Sequence, residues 1–439
     1  WVTLPEPMAL EETSDTIATL ESAGIRVSRL VVNRMTPVLP GSRRADGGSD
    51  WCEARRRFEA RALAPVARRF AGRELVTLPD LGEEPRGVPA LRKAAAALAP
   101  YTAPTSLPVV ERRIRAWTKK GHSPLVSEKE GTPALLDGRW LLFGGKGGVG
   151  KSTCAAAAAL AASHHRRVLL ISSDPAHSLG DVFGALVGDE ARPIAGAPPS
   201  LHVREIDASA EFGRFRQRYV DAVDDAFARL ARTADVEQSA FRDLIDLAPP
   251  GIDEVISIAE VSSALIAADG AYDLVVTDTA PTGHALRLLH TPAILREWTQ
   301  ALMTILLKYR ELVGAGTLAE LLVHLSKRLR GLQEILSDSS RVRMVVVTRA
   351  AVLPVAESED LISALDALDI AVGAVIVNAI GARDCRRGGR KARSETAQLD
   401  RLRHVFHGRY AIIGAPAEIP PPHGVAALAD WGAAWRQIA

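Results

Sequence analysis

Residues 144–153, Gly-Gly-Lys-Gly-Gly-Val-Gly-Lys-Ser-Thr, decide the fold of this chain. From Gly145 to Ser152 they satisfy the phosphate-loop pattern G-x-x-x-x-G-K-[ST]. In this pattern the glycines turn successive backbone N–H groups toward one anion, Lys151 adds positive charge at the outer phosphates, and the Ser152 hydroxyl is offered to Mg²⁺. An apolar run precedes the loop at 140–143 and an alanine-rich run follows it at 154–160, which predicts a strand before the loop and a helix after it. The stretch therefore predicts a nucleotide-phosphate site rather than a flexible glycine linker.

A second lysine, Lys146, follows Gly145 directly. An ordinary phosphate loop needs only Lys151. An additional lysine at this place resembles the loop of ATPases that work as face-to-face pairs, and the resemblance implies that Lys146 reaches the partner's nucleotide. The alternative is a solvated lysine on an exposed loop.

Composition narrows the class of protein. The chain has 439 residues, too many for one ordinary domain, and its 47% hydrophobic and 24% charged residues are typical of a globular protein with a large core. A net charge of only +2 gives no strong field for nucleic acid, so no nucleic-acid partner is expected. The sequence contains neither an apolar run long enough to span a membrane nor a recognisable signal peptide, which predicts a cytoplasmic protein, or one peripheral to a membrane.

An internal repeat organises the chain. Residues 3–33 match residues 348–378 at one constant offset. The shared positions are Glu12 with Glu357, Leu20 with Leu365, and Asn33 with Asn378. After a small gap, Pro79 and its surroundings match Pro416 and its surroundings.

The repeat predicts three parts of the chain. Residues 1–102 are expected to be the C-terminal part of a first copy, residues 103–137 a polar linker, and residues 138–439 a complete second copy. By the arithmetic of the repeat, roughly two hundred residues that carry a first phosphate loop are expected to precede Trp1. We therefore interpret the sequence as a fragment of a tandem protein.

The second copy predicts an α/β fold, a phosphate-loop NTPase with a mostly parallel sheet flanked by helices. Short apolar runs alternate with helical stretches, which is typical of parallel strands that are covered on both faces. Residues 208–268 and 293–338 are predicted to add a helical subdomain. Two amphipathic stripes lie within 293–338, and such stripes are usually ordinary core, although an exposed surface for a client is the alternative.

Two acidic motifs follow predicted strands. Asp278 fits a carboxylate that holds Mg²⁺ through water, together with Ser152, and Asp174 fits a carboxylate that orients the attacking water. Both aspartates could instead be simple turn residues. Neighbouring residues suited to loops that rearrange when the γ-phosphate leaves are His177, Ser178, Pro281, Thr282, Gly283 and His284.

Taken together, the phosphate loop, Ser-Asp-Pro-Ala-His-Ser-Leu at 173–179 and Asp-Thr-Ala-Pro-Thr-Gly-His at 278–284 resemble the ArsA family. That family holds arsenite-pump ATPases and related ATPases that target tail-anchored membrane proteins. The resemblance implies ATP and Mg²⁺ as cofactors, Asp174, Lys146 and Lys151 as catalytic residues, and adenine contacts from Asn378 and the Pro416 loop. The phosphates would be bound by Gly145, Lys146, Gly147, Gly148, Val149, Gly150, Lys151, Ser152 and Thr153.

The cysteines depart from the family pattern. Many members carry C-x-x-C after the strand that bears the asparagine, whereas each copy here keeps one of the two, Cys52 and Cys385. With Cys154 they are three widely separated thiols, which argues against a disulfide framework. A closed zinc site needs four ligands, so we interpret Cys52 and Cys385 as vestigial, and metalloid activation is in question.

Three functions follow from the sequence. The first is an ArsA-type subunit that hydrolyses ATP to drive anion efflux, of the arsenite or antimonite kind, with a membrane efflux protein as partner. The second is a targeting ATPase for tail-anchored membrane proteins, with an apolar client. The third is a nucleotide-switched scaffold of the partitioning type. In each, the ATPase partner is the missing first half or a second copy of the chain.

Overall fold

The computed structural model describes residues 1–37, 49–70, 72–82, 84–103, 113–116, 138–172, 178–206, 271–278, 338–381, 390–406 and 408–438, with short stretches between 213 and 221 and between 320 and 335. Helices and strands alternate along this part of the chain, as the sequence predicts. The predicted helical subdomain lies largely outside the described residues.

The strands of the described part are short to medium in length, and those nearest the phosphate loop are entirely buried. They are β1 (Val2–Thr3), β2 (Arg29–Met35), β3 (Glu74–Pro79), β4 (Ala99–Pro100), β5 (Ile114–Arg115), β6 (Trp140–Gly144), β7 (Val168–Ser172), β8 (Arg192–Pro193), β9 (Leu201–Glu205), β10 (Leu274–Asp278), β11 (Val342–Arg349), β12 (Val372–Ile380), β13 (Ala411–Pro416), β14 (Glu418–Ile419) and β15 (Arg436–Gln437). The helices of the same part are α1 (Pro7–Ser22), α2 (Ser49–Arg69), α3 (Gly87–Ala96), α4 (Lys151–Ser163), α5 (Ser178–Phe183), α6 (Val352–Ala367), α7 (Arg390–Phe406) and α8 (Val425–Gly432).

Nine strands form one sheet, in the order β15-β13-β12-β11-β6-β10-β7-β9-β8. Strand β6 lies between β11 and β10 and pairs with both in parallel, and the parallel pairing continues through β7 to β9. The edge strands β8 and β15 pair antiparallel to their neighbours. The fold is therefore α/β with a mostly parallel sheet, as the alternation of apolar runs predicts.

Helix α4 covers the centre of this sheet. Ten of its 13 residues are buried, and it packs against β6, β7 and β10. Its run of alanines lets the helix approach the strands closely while favouring helical backbone. In the sheet, the Trp140 indole N–H donates a 2.7 Å hydrogen bond to the Thr277 hydroxyl, so that the neighbouring strands β6 and β10 are also joined through their side chains.

The first hundred residues form a smaller sheet, in the order β1-β2-β3-β4. Strands β1, β2 and β3 are parallel, and β4 is antiparallel to β3. The succession β1-α1-β2-α2-β3-α3-β4 corresponds to β11-α6-β12-α7-β13-α8-β15, in which the last strand is again antiparallel to the one it pairs with. This correspondence supports the predicted repeat, whose boundaries at 102 and 138 stay a prediction.

The chain divides into two compact units. One contains Trp1–Thr132, Thr348–Ala356 and Ile376–Ala439, and the other contains Pro133–Val347 and Glu357–Val375. In the first unit, part of the predicted linker forms β5, which pairs antiparallel with β14. Beside this pair, Trp51 packs in an apolar cluster with Ala417 and Ile419. At least two residues of the predicted linker therefore belong to a sheet.

Among the helices of the described residues, none is long and apolar enough to cross a membrane.

Candidate nucleotide site

The phosphate loop connects the end of β6 to the start of α4. Gly150 takes a left-handed conformation, with φ of 97°, directly before Lys151 begins the helix. A Cβ on Gly145 would lie only 2.1 Å from the carbonyl oxygen of Val347, so no other residue fits against β11 without displacing backbone. The predicted strand, loop and helix N-terminus are therefore confirmed in their local structure.

The phosphate loop contains both buried and exposed residues. Val149 is 2% exposed and Lys151 is 6% exposed, whereas Gly147 and Gly148 are exposed. The N-terminus of α4 adds a partial positive charge at the same place, since its first N–H groups have no partner within the helix. Exposed glycine backbone above a helix N-terminus suits the phosphates of a nucleotide. Ser152 and Thr153 follow in the first turn of α4.

Asp278 is the last residue of β10 and is fully buried. In the sheet its Cα is opposite Phe143 of β6 on one side and Ser172 of β7 on the other. The Ser172 hydroxyl donates a hydrogen bond to Asp278 Oδ2 at 3.4 Å. Gly144 and Gly145 directly follow Phe143, so Asp278 lies beside the strand that leads into the phosphate loop. Carboxylate and hydroxyl oxygens are the ligands that Mg²⁺ prefers. These residues fit the metal that the sequence predicts.

Lys146 has a partner within its own unit. Its Nζ lies 2.6 Å from Glu357 Oε1 on α6, and both side chains are about one-third exposed. In the sequence, Glu357 is marked only as a matched position of the repeat, and no local pattern gives it a role.

The two switch motifs fall mainly outside the described residues. This holds for Asp174 and His177, and for the segment that contains Pro281, Thr282, Gly283 and His284. Ser178 is the first residue of α5. The roles proposed for these residues stay predictions.

Glu205 fixes the helix that follows the first switch motif, and the sequence analysis missed it. It ends β9, is 5% exposed, and its Oε1 accepts hydrogen bonds from the backbone N–H groups of Leu179 at 2.7 Å and Gly180 at 3.2 Å. A carboxylate at this place neutralises the positive end of α5. The sequence does carry a signal for this role. Buried and partly exposed residues alternate along 201–205, and the acidic Glu205 falls at a buried position.

The predicted adenine contacts lie together in the first unit. Asn378 is near the end of β12 and Pro416 ends β13, and the Ala417 N–H donates to the Ile380 carbonyl at 2.9 Å between the two strand ends. The Trp431 indole N–H donates to the Pro416 carbonyl at 2.8 Å and holds that loop.

The backbone after Asn378 has an unusual geometry that recurs in the first copy. Asn378 Oδ1 accepts from the Ala379 N–H at 2.6 Å, and Ala379 has a φ of 57°. Asn33 Oδ1 accepts in the same way from the Arg34 N–H at 2.8 Å, and Arg34 has a φ of 63°. A positive φ is uncommon outside glycine, so its recurrence at matched positions indicates that both loops are built alike.

A glutamate lies on the helix that follows each asparagine, buried in the case of Glu59 and half-buried in the case of Glu395. Glu59 on α2 accepts from the Thr36 N–H at 2.8 Å, and Glu395 on α7 accepts from the Gly381 N–H at 2.9 Å. Burial raises the pKa of both carboxyls, in Glu395 to about 7. Each glutamate thus holds the loop that follows the asparagine, and the sequence analysis identified neither.

The cysteines give a mixed result. Cys154 is a fully buried free thiol in α4. Cys52 is buried and takes part in a disulfide bond, a single pairing that the sequence does not predict. Cys385 lies outside the described residues. Within the part of the chain that the structure describes, no group of three or more His, Cys, Asp or Glu side chains could hold a metal ion.

Comparison with known proteins gives one family. The family model described as Anion-transporting ATPase, that of the ArsA ATPases, matches residues 1–100 and 138–417. An ATPase named GET3B from Arabidopsis thaliana is 30% identical over 293 residues, which are 60% of this chain and 70% of the relative. Proteins named ATPase get3 from Aspergillus terreus and ATPase GET3 from Kluyveromyces lactis are each 31% identical, over 61% of this chain and 82% of the relative.

Proposed function

The chain belongs to the ArsA family of anion-transporting ATPases, and on this premise we propose that it uses ATP hydrolysis to bind and release the apolar helices of membrane-protein clients. That the chain is an ATPase follows from the family and from the relatives reported above, which are named ATPases. The client is the proposed part. It is supported by the names of those relatives, GET3, which is the tail-anchored-protein targeting branch of the family.

This proposal replaces anion efflux as the first choice. Efflux of arsenite or antimonite was the leading expectation from the sequence, and targeting was the alternative. The relatives favour targeting, and the family's metalloid chemistry needs clustered thiols that Cys154, buried in α4, does not offer. None of the relatives named above favours a nucleotide-switched scaffold.

The geometry that carries the ATPase assignment is the open phosphate loop beside Asp278. We assign Lys151 and the loop N–H groups to the β- and γ-phosphates, and Ser152 with Asp278 to Mg²⁺. Bound Mg²⁺ would supply charge neutralisation on the transferring phosphoryl group. Asp174 is proposed to orient the attacking water, because in the sequence it comes two residues after the end of the buried strand β7.

The remaining assignments concern recognition and pairing. Asn378 and the Pro416 loop are proposed to contact adenine, a role supported by the rigid, hydrogen-bonded backbone at both places. Lys146 is proposed to act on the nucleotide of a partner, either a first ATPase half or a second copy of the chain. The resemblance of the loop to that of ATPases that work as face-to-face pairs supports this arrangement.

A synthetic apolar helix tests the client. The full chain is mixed with a fluorescent 20-residue apolar peptide, and binding is followed by anisotropy with ADP, with a non-hydrolysable ATP analogue and without nucleotide. We expect nucleotide-dependent binding that Lys151→Ala abolishes, and no binding of a matched peptide that carries two central aspartates. A chain that ignores the apolar peptide in every nucleotide state contradicts the targeting proposal.

Antimonite gives the complementary measurement. Under targeting, ATP turnover of the full chain stays unchanged when antimonite is added. A several-fold stimulation, together with no peptide binding, would return efflux to first place.

A further inference from the structure

The ion pair between Lys146 and Glu357 occupies the lysine that the proposed function reserves for a partner. The Nζ to Oε1 distance is 2.6 Å, so the contact is both an ion pair and a hydrogen bond. The exposed fractions of the two side chains are 33% and 35%, which leaves the pair at the rim of the site, open to a competing anion.

Only the side chain of Lys146 is free to move. On one side of it, Gly145 is packed so tightly against β11 that an added Cβ would lie 2.1 Å from the Val347 carbonyl oxygen. On the other side, Val149 is buried and its N–H donates to the Lys146 carbonyl at 3.4 Å. The backbone is thus held on both sides, and the lysine can change partner only by swinging its ammonium away from α6.

Glu357 is a good temporary partner for such a lysine. The Lys146 ammonium leaves the Glu357 carboxylate only when it meets comparable negative charge elsewhere. Otherwise the Coulomb attraction of the ion pair is lost and nothing replaces it. The phosphate oxygens of a bound nucleotide offer that charge, whereas an empty partner site does not.

We propose that Glu357 is a latch that holds Lys146 in its own protomer until a nucleotide-loaded partner takes the lysine over. This inference rests on the proposed function, because it needs the lysine to act across an interface. Glu357 is a positioning residue in this account. Its assigned contact is with Lys146, and it sets how readily Lys146 leaves.

The repeat supplies a second observation. Glu12 on α1 matches Glu357 on α6 at the same constant offset that aligns Asn33 with Asn378. Glu12 is exposed, so no requirement of core packing explains a glutamate there. Its presence at the matched place is what a latch common to both copies predicts.

The test compares Glu357→Gln with Glu359→Gln, which removes the same charge two residues along α6. The first readout is the rate at which the Lys146 amine of the full chain is acetylated, followed by mass spectrometry without nucleotide. A partly exposed pair of this kind corresponds to about a two- to fivefold population change, so we expect Glu357→Gln to raise the rate by about that factor. Glu359→Gln should leave the rate unchanged. Equal Lys146 rates in wild type and Glu357→Gln would overturn the latch.

The second readout is ATP turnover as a function of chain concentration. Removing the latch favours the paired state, so the chain concentration at half-maximal turnover should fall in Glu357→Gln by about the same factor, while the maximal rate stays constant. Glu357→Asp keeps the carboxylate on a shorter side chain. Its half-maximal chain concentration should lie between those of the wild type and Glu357→Gln. A higher half-maximal concentration in Glu357→Gln would overturn the proposal, since Glu357 would then assist the transfer rather than restrain it.

The two readouts separate this inference from the proposed function. A wild-type chain that shows no turnover contradicts the ATPase assignment, and the acetylation rate then still decides whether Glu357 restrains Lys146. A chain that turns over ATP independently of its concentration overturns the latch alone.

Discussion

At the scale of single residues, the phosphate loop depends on close contact as much as on charge. Gly145 is required because β11 leaves no room for a side chain, and Lys151 is buried at the start of α4 rather than held on a flexible tip. The pattern G-x-x-x-x-G-K-[ST] was enough to predict both residues. Glu357 and Glu205 could not be predicted in this way, because each acts on a residue far along the chain and no local pattern marks the contact.

Gly145→Ala should disrupt the loop. The added methyl group would meet backbone rather than a flexible side chain, so the loop or β11 must shift, at a cost of about 1–3 kcal/mol in the free energy of unfolding. We expect at least about a tenfold loss in affinity for a fluorescent ATP analogue, since the loop N–H groups no longer converge. The measurements are nucleotide titration and urea unfolding.

Gly196→Ala is the control for that substitution. Gly196 also has a positive φ, of 81°, but nothing lies within 4 Å of an added Cβ. It should therefore cost only the backbone strain, about 1 kcal/mol, and leave nucleotide affinity unchanged. Equal effects of the two variants on affinity would show that close packing at Gly145 is unimportant.

Glu395 should make stability depend on pH. Burial raises its pKa from 4.5 to about 7 in the folded chain, so between these values the folded state binds more protons than the unfolded state. The free energy of unfolding contributed by this group is therefore fully present below about pH 4.5 and is lost as pH rises toward 7, with a slope of at most about 1.4 kcal/mol per pH unit.

Glu395→Gln should remove that dependence. Urea unfolding from pH 4.5 to 7.5 is expected to show wild type losing stability relative to the variant as pH rises, and Glu320→Gln, at an exposed position, controls for the lost charge. If the difference between wild type and Glu395→Gln stays constant over this range, the carboxyl is ionised normally in the folded chain.

At the scale of elements, strands and helices follow from local sequence where burial is complete. The apolar runs at 140–143, 168–172 and 274–277 predicted β6, β7 and β10, and all three are buried throughout. The pairing of β5 with β14 was not predictable, because a two-residue strand inside a polar linker has no periodicity. Tertiary contacts alone make it a strand.

The start of helix α5 is held by one side chain. Glu205 accepts from the N–H groups of Leu179 and Gly180 and thereby fixes the helix that follows the first switch motif. Glu205→Ala removes the carboxylate that accepts these two hydrogen bonds at the N-terminus of α5. It should cost about 1–3 kcal/mol in the free energy of unfolding. We also expect kcat to fall while nucleotide affinity is retained, since the phosphate loop is untouched.

Glu205→Gln separates acceptor from charge. The glutamine keeps an oxygen at the same place, so it should restore most of the lost stability and turnover. Should Glu205→Ala hydrolyse ATP at the wild-type rate, α5 would have no part in positioning the first switch.

At the scale of the whole molecule, the chain carries one phosphate loop and two copies of the asparagine-bearing loop. Residues 1–100 and 138–417 match the same family model, and the recurring positive φ at Arg34 and Ala379 shows the likeness in backbone detail. The sequence predicts a tandem repeat from three aligned positions, and that repeat stays a prediction. The sequence could not predict which client the ATPase binds, because a client is recognised by a surface of the protein and not by the phosphate loop.

The account as a whole rests on ATP hydrolysis at residues 145–153. Its most direct test is steady-state release of phosphate from ATP and Mg²⁺ by the full chain and by Lys151→Ala, with circular dichroism to verify that the variant is folded. We predict turnover in the wild type that depends on Mg²⁺ and falls by at least about a hundredfold in Lys151→Ala. A folded Lys151→Ala chain that hydrolyses ATP as fast as the wild type would contradict the account.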